Sequence, residues 1–129
     1  MLKLLPEVAP QHLGLQAPFC DLTLYIQALE LEQWSGYLLF WEKSPETILA
    51  PWWVKAALLI LEGKVVNALS RDELGAESCF GNEALFQATQ SYLAGAKLSG
   101  FSLPAQYARL LSGVGEEMQA TLQTTVQTT

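Results

Sequence analysis

The hydrophobic residues of this chain change from helical spacing to strand-like runs and back several times. The first helical stretch lies in "CDLTLYIQALELEQW", where Asp21 or Thr23 can cap the start and Gly36 follows the predicted end. Its apolar positions at i, i+3, i+4 and i+7 are Leu22, Tyr25, Ile26 and Leu29. We therefore predict a helix of about three turns in this segment.

A second helix is predicted over "NEALFQATQSYLAG", with Asn82 as the N-cap and Gly95 at the C′ position. Its predicted apolar stripe consists of Leu85, Phe86, Ala88, Thr89, Tyr92 and Leu93. A third helix is predicted to open at Pro104, since proline is favoured at a first helical position, and to close at Gly113 and Gly115.

Short runs of large apolar and aromatic residues between turn formers predict strands. "GYLLFWE" is one such run, and "AALLIL" and "VVNAL" form a hairpin around Glu62 and Gly63. Gly63 supplies the positive φ that a tight two-residue turn requires. "AKLSGFSL" is predicted as a short edge strand, "KSPETILAPWWVK" as an irregular stretch and "SRDELGAESCFG" as a polar loop.

This order of elements predicts an α+β domain. Its sheet is expected to be mainly antiparallel, with a central hairpin at about residues 56–69 and helices packed on one face. We expect residues 1–20 to form an extended N-terminal arm, residues 21–114 a single domain, and the Thr/Gln-rich residues 115–129 a disordered or partner-dependent tail.

Charge and composition argue against nucleic acids and membranes as partners. The net charge is −6, and the seven basic residues are scattered along the chain, so no nucleic acid is expected to bind. No apolar run approaches a membrane span and the start does not have the length of a signal peptide, so we expect a cytoplasmic protein without a membrane partner. Cys20 and Cys79 are expected to be reduced, buried and structural.

Candidate chemistry is sparse. His12 is the single histidine and lies in the proline-broken arm, where only tertiary proximity to Cys20 or Cys79 could make a catalytic pair. The sequence has no metal-ligand spacing and no glycine-rich phosphate loop. We therefore expect no catalytic residue, no metal and no cofactor, and no enzymatic activity.

Three polar or aromatic positions are candidates for partner binding. Trp52 and Trp53 are adjacent, so in an extended segment their side chains point to opposite sides. Either both fill the core, or at least one anchors an interface, where tryptophan is enriched. Asn67 interrupts an apolar strand, so its amide either makes a structural hydrogen bond or lines a groove as a polar contact.

The motifs "CDLTLYIQAL", "SGYLLFW", "LLILEGKVVNAL" and "FGNEALFQATQSYLAGAKLSGFSL" occur in the order found in one bacterial family. Over about residues 13–103 the chain resembles the PATAN domain, named for the amino-terminal part of cyanobacterial PatA proteins. The segment "EKSPETILAPWWVK" is longer and more aromatic than the family pattern.

The resemblance implies a non-enzymatic protein–protein interaction module in bacterial signal transduction, with a two-component or motility protein as partner. Such a module can present a sheet edge and aromatic anchors to its partner. Two alternatives stay open: a small-molecule sensor in which Asn67 orients an apolar ligand, and a roadblock-like adaptor that forms a homodimer.

Overall fold

The computed structural model describes residues 5–17, 19–43, 52–72 and 74–112 of the chain. The strands are β1 His12–Leu15, β2 Gly36–Lys43, β3 Trp52–Leu61, β4 Lys64–Arg71, β5 Glu77–Phe80 and β6 Lys97–Ser102. The helices are α1 Leu22–Leu31 and α2 Gly81–Leu93, and residues 105–112 are helical as well. The six strands form one antiparallel sheet in the order β1-β6-β2-β3-β4-β5. The predicted α+β class is confirmed.

The predicted hairpin is confirmed as β3 and β4. Its turn residues Glu62 and Gly63 have φ values of 50° and 83°, the two positive values of a type I′ turn. Two hydrogen bonds fix this turn to the segment after α1. The Gly63 N–H donates to the Trp34 carbonyl at 2.8 Å, and the Glu62 N–H donates to Ser35 Oγ at 2.9 Å.

The sheet extends further than the sequence pattern indicates. The N-terminal arm contributes β1, which pairs with β6 through His12↔Gly100 and Leu15↔Leu98. Because β1 covers its outer side, β6 is an interior strand, and the prediction of an edge strand there is wrong. The sheet edges are β1 and β5. β5 lies inside the predicted polar loop, and β3 begins at Trp52 inside the predicted irregular stretch.

Both main helices have defined ends. Asp21 caps α1 as predicted, since its Oδ1 accepts the Leu24 N–H at 3.0 Å. Asn82 does not cap α2: β5 leads straight into the helix, so Phe80, in extended conformation, occupies the N-cap position. At the other end Gly95 follows the C-cap residue Ala94 with φ +114°, as predicted.

Two hydrophobic clusters lie on opposite faces of the sheet. Under α1 and α2 the buried cluster is Leu29, Trp34, Leu38, Phe40, Ala56, Leu58, Ile60, Ala68, Ala84, Ala88, Tyr92 and Leu98. On the other face, side chains from residues 105–112 pack on the sheet, and the cluster is Tyr37, Leu59, Leu103, Ala108 and Leu111. The sheet is therefore covered by α1 and α2 on one face and by the third helix on the other, so the prediction that the helices pack on one face is correct for α1 and α2 and wrong for the third helix.

The buried stripe of α2 differs from the predicted one. It consists of Ala84, Ala88, Ser91 and Tyr92, whereas Phe86 and Leu93 are 63% and 66% exposed. Pro104 directly precedes the third helix, and its carbonyl accepts the N–H of Ala108 at 3.1 Å. The predicted end of that helix and the predicted tail of residues 115–129 lie outside the described residues.

Candidate functional site

Trp52 and Trp53 open β3 beside the end of β2. Trp52 pairs with Lys43 and Trp53 with Glu42, just beyond a register shift that falls between Phe40 and Trp41 of β2. Both tryptophan side chains are half-buried, and neither belongs to either hydrophobic cluster. The alternative that both fill the core is therefore wrong.

Each tryptophan ring contacts its own pair of cations. The Nζ atoms of Lys97 and Lys43 lie 4.4 Å and 5.4 Å from the centroid of the Trp52 ring. Lys55 Nζ and Arg71 Cζ each lie 5.8 Å from the centroid of the Trp53 ring. These distances are within the range of cation–π attraction. We call this set the tryptophan cluster: Trp52, Trp53, Lys43, Lys55, Arg71 and Lys97.

The cluster corrects the expectation that the basic residues are scattered. Four of the seven basic residues of the chain lie in it, although they are far apart in sequence. They converge because β6, β2, β3 and β4 are neighbours and these residues lie near the same ends of those strands. Only Lys55, two residues from Trp53, could have been associated with the tryptophans from the sequence.

Backbone hydrogen bonds hold the cations around Trp53. Arg71 donates through Nε to the Gly75 carbonyl at 2.9 Å and through a terminal nitrogen to the Val54 carbonyl at 3.3 Å. Lys55 Nζ donates to the Arg71 carbonyl at 2.6 Å. Because carbonyl oxygens are neutral acceptors, these bonds fix the positions of both cations without cancelling their charge.

A cleft of about 320 Å³ adjoins the Trp52 half of the cluster. Its lining is Glu42, Lys43, Trp52, Ser91, Ala94, Gly95 and Ala96. Glu42 accepts a hydrogen bond from Ser91 Oγ at 2.5 Å, so the hydroxyl at the end of α2 holds this carboxylate in place. The cleft therefore combines an aromatic wall, the lysine side chain of Lys43 and a carboxylate that already has a donor.

Asn67 lies away from the tryptophans. It pairs with Leu59, six residues along β3 from Trp53, which corresponds to a separation of about 20 Å. Its Oδ1 accepts the N–H of Ala68 at 2.9 Å, and it lines a cleft of about 150 Å³ at the start of α2. The structure therefore does not bring the three predicted site residues into one site.

The titratable groups outside the cluster make mainly structural contacts. His12 Nδ1 lies 2.6 Å from the Tyr25 hydroxyl, and burial, with smaller charge effects led by Cys20, raises the tyrosine pKa well above its usual value. Cys20 and Cys79 are free and half-buried rather than fully buried. Cys79 Sγ accepts a hydrogen bond from Gln87 Nε2 at 3.2 Å.

Within the described ranges, no three His, Cys, Asp or Glu side chains are close enough together to hold a metal ion. The helices of the same residues are too short to cross a lipid bilayer. Comparison with protein-family models, with curated proteins and with solved structures gives no match. The resemblance to PATAN domains therefore stays a prediction.

Proposed function

We propose that this domain is a non-enzymatic protein–protein interaction module. The observation that carries the proposal is the placement of Trp52 and Trp53 outside both hydrophobic clusters, at one end of the sheet. Tryptophan is enriched among the residues that dominate binding energy at protein interfaces. The resemblance to PATAN domains suggests the setting, which is bacterial signal transduction or motility regulation.

The sheet offers a second means of contact at β5. This strand has four residues and no strand neighbour on its outer side in the described sheet. An extended segment of a partner can add to such an edge through main-chain hydrogen bonds. Because β4 and β5 would both lie between β3 and the added strand, a partner strand on β5 would lie three strand positions from the tryptophans.

The alternative of a small-molecule sensor at Asn67 has less support. Ligand pockets commonly measure about 300–1,000 Å³. The cleft beside Asn67 measures about 150 Å³, and the Asn67 oxygen already accepts a backbone N–H. A drug-sized apolar ligand therefore does not fit between the sheet and the start of α2 without a change in packing.

The test is alanine substitution of each tryptophan. We expect Trp52→Ala and Trp53→Ala to weaken association with a partner by about tenfold or more, because large aromatic anchors carry much of the binding energy. The domain should still fold, since both side chains lie outside the two clusters. Quantitative capture from the native cell and thermal melting of each variant measure the two effects separately.

Phe86→Ala is the matched control, since Phe86 is an exposed aromatic residue on α2, outside the tryptophan cluster. It should leave both the capture and the melting temperature close to those of the wild-type protein. Tryptophan variants that melt at much lower temperature yet retain full partner capture would contradict the proposal.

A further inference from the structure

We infer that the tryptophan cluster binds an acidic, extended segment of a partner protein; this inference rests on the proposed function. The chain is acidic overall, with 13 Asp and Glu residues against 7 Lys and Arg. Four of those seven cations nevertheless surround two neighbouring tryptophans. A concentration of positive charge on an acidic protein favours a partner with carboxylates at that one place.

Contacts within the protein already order the four cationic side chains before a ligand binds. Stacking of Lys97 and Lys43 on Trp52 restricts these long side chains, and backbone carbonyls restrict Lys55 and Arg71. Side chains that are already ordered lose less conformational entropy when a ligand binds. A lysine ammonium has three N–H donors, so one that lies over a ring can still donate to a carboxylate.

The cluster also offers apolar surface beside its charges. The two tryptophan rings are half-buried, and the cleft of about 320 Å³ next to Trp52 has Ala94, Gly95 and Ala96 in its lining. Glu42 and Ser91 also line this cleft, where they are hydrogen-bonded to each other. A segment in which acidic and aliphatic residues alternate can place carboxylates near the cations and an aliphatic side chain in this cleft. Such a ligand uses both the charge and the aromatic surface of the site.

A nucleic acid fits these observations less well than an acidic peptide. Its backbone carries one charge about every 3.4 Å per strand and continues well beyond any four cations. The net charge of the whole chain is −6 even with these four cations included, so the surface outside the cluster would repel the rest of the polyanion. A short peptide with a few carboxylates avoids this repulsion.

The test uses a fluorescein-labelled peptide of eight alternating Glu and Leu residues, with binding to the full chain followed by fluorescence anisotropy. Replacement of Glu by Gln, and separately by Lys, gives two comparison peptides. We expect the wild-type protein to bind the Glu peptide at least about tenfold more tightly than either, and binding to weaken as salt rises. The double variant Lys43→Glu/Lys97→Glu should reduce this binding by about tenfold or more.

Lys64→Glu is the matched control, since Lys64 is an exposed residue at the opposite end of the same hairpin. It changes the net charge in the same direction but should alter binding less than about twofold. Lys43→Gln/Lys97→Gln gives a second variant, without reversed charge, should the Glu variant fail to fold. Circular dichroism of each variant establishes that it is folded.

Equal binding of the Glu and Gln peptides, or equal losses in Lys64→Glu and the double variant, would overturn the inference. Tighter binding of an oligothymidylate than of the Glu peptide would overturn it in favour of nucleic acid. Partner capture that depends on Trp52 but not on Lys43 and Lys97 would overturn it and leave the interaction function standing. Charge-dependent binding of the Glu peptide without Trp52-dependent capture would overturn both the inference and the proposed function, because the lysines would then bind acidic peptides without a partner held by the tryptophans.

Discussion

Gly63 joins the hairpin turn to the end of α1. Its φ of +83° lies in the left-handed region, and a Cβ at this position would be 2.4 Å from the Glu30 Cα. Its N–H also donates to the Trp34 carbonyl. A larger residue would therefore meet backbone rather than a flexible side chain, and the turn or the helix would have to move.

We predict that Gly63→Ala lowers the free energy of unfolding by about 3 kcal/mol, from about 1 kcal/mol of left-handed strain and the remainder from the clash. Gly14→Ala is the control, because Gly14 has φ +69° but open space around the added Cβ. The free energy of unfolding of Gly14→Ala should be about 1 kcal/mol lower than that of the wild-type protein, from backbone strain alone. Urea unfolding measures both values, and equal losses would show that the contact with α1 contributes nothing.

Because of Tyr92, the free energy of unfolding depends on pH in the alkaline range. Its side chain is 1% exposed, and its hydroxyl donates to the Cys20 carbonyl at 2.5 Å. Burial, followed by smaller effects of the Cys20 side chain and of the charge of Asp21, raises the pKa of Tyr92 from 10.0 to about 12. Because the folded state keeps this proton more strongly than the unfolded state, the stabilisation is complete below pH 10 and is lost as pH rises towards 12.

We predict that the wild-type protein loses about 2–3 kcal/mol of stability through Tyr92 between about pH 10 and pH 12. In Tyr92→Phe the free energy of unfolding should fall less steeply over this range, although the phenylalanine variant starts from a lower value. Tyr107→Phe is the control, since Tyr107 is 43% exposed. Urea unfolding at several pH values gives the slopes, and an unchanged slope in Tyr92→Phe would contradict this assignment.

At the scale of elements, three of the four residues that α2 buries are small, and Tyr92 is the exception. Ala84 and Ala88 have no exposed surface, and Ser91 is 6% exposed. The predicted stripe favoured large apolar residues and so included Phe86 and Leu93, which the structure leaves outside. Hydrophobicity alone locates this helix and identifies Ala88 and Tyr92 correctly, but it leaves out the small buried residues Ala84 and Ser91.

We predict that Ala88→Leu lowers the free energy of unfolding by about 1–3 kcal/mol, because the added atoms must push α2 from the sheet. Gln90→Leu is the matched control: it places the same side chain on the exposed side of α2 and should change stability by less than about 0.5 kcal/mol. Thermal and urea unfolding measure both changes. Tolerance of leucine at position 88 would show that the interface has unused room.

The sequence predicts the strongly patterned elements and misses those that depend on pairing. α1 with its Asp21 cap, the β3–β4 hairpin and the Gly95 helix end follow from local chemistry. β1 and β5 have four residues each and lack a long apolar run, so only their neighbours in the sheet define them. β6 was predicted as an edge for the same reason, since the partner on its outer side lies more than 80 residues away in sequence.

At the scale of the whole molecule, the order and register of the strands determine which charged side chains lie close together. The sequence singled out Trp52 and Trp53, and separately Asn67, but it left Lys43, Arg71 and Lys97 unassigned. The proximity of these cations to the two tryptophans depends on the strand order and on the register of three strand pairs. No local pattern contains that information, so the candidate site became visible only through tertiary structure.

The pairing of β1 with β6 has a consequence for synthesis of the protein. Among the described residues, the first strand of the sequence pairs with the last, through His12 and Gly100. Residues 12–15 are therefore synthesised before the residues of β6 that pair with them. β1 stays unpaired while the ribosome synthesises the β3–β4 hairpin and α2. Pairing of β1 with β6 therefore requires synthesis of the roughly 80 residues that separate Leu15 from Lys97.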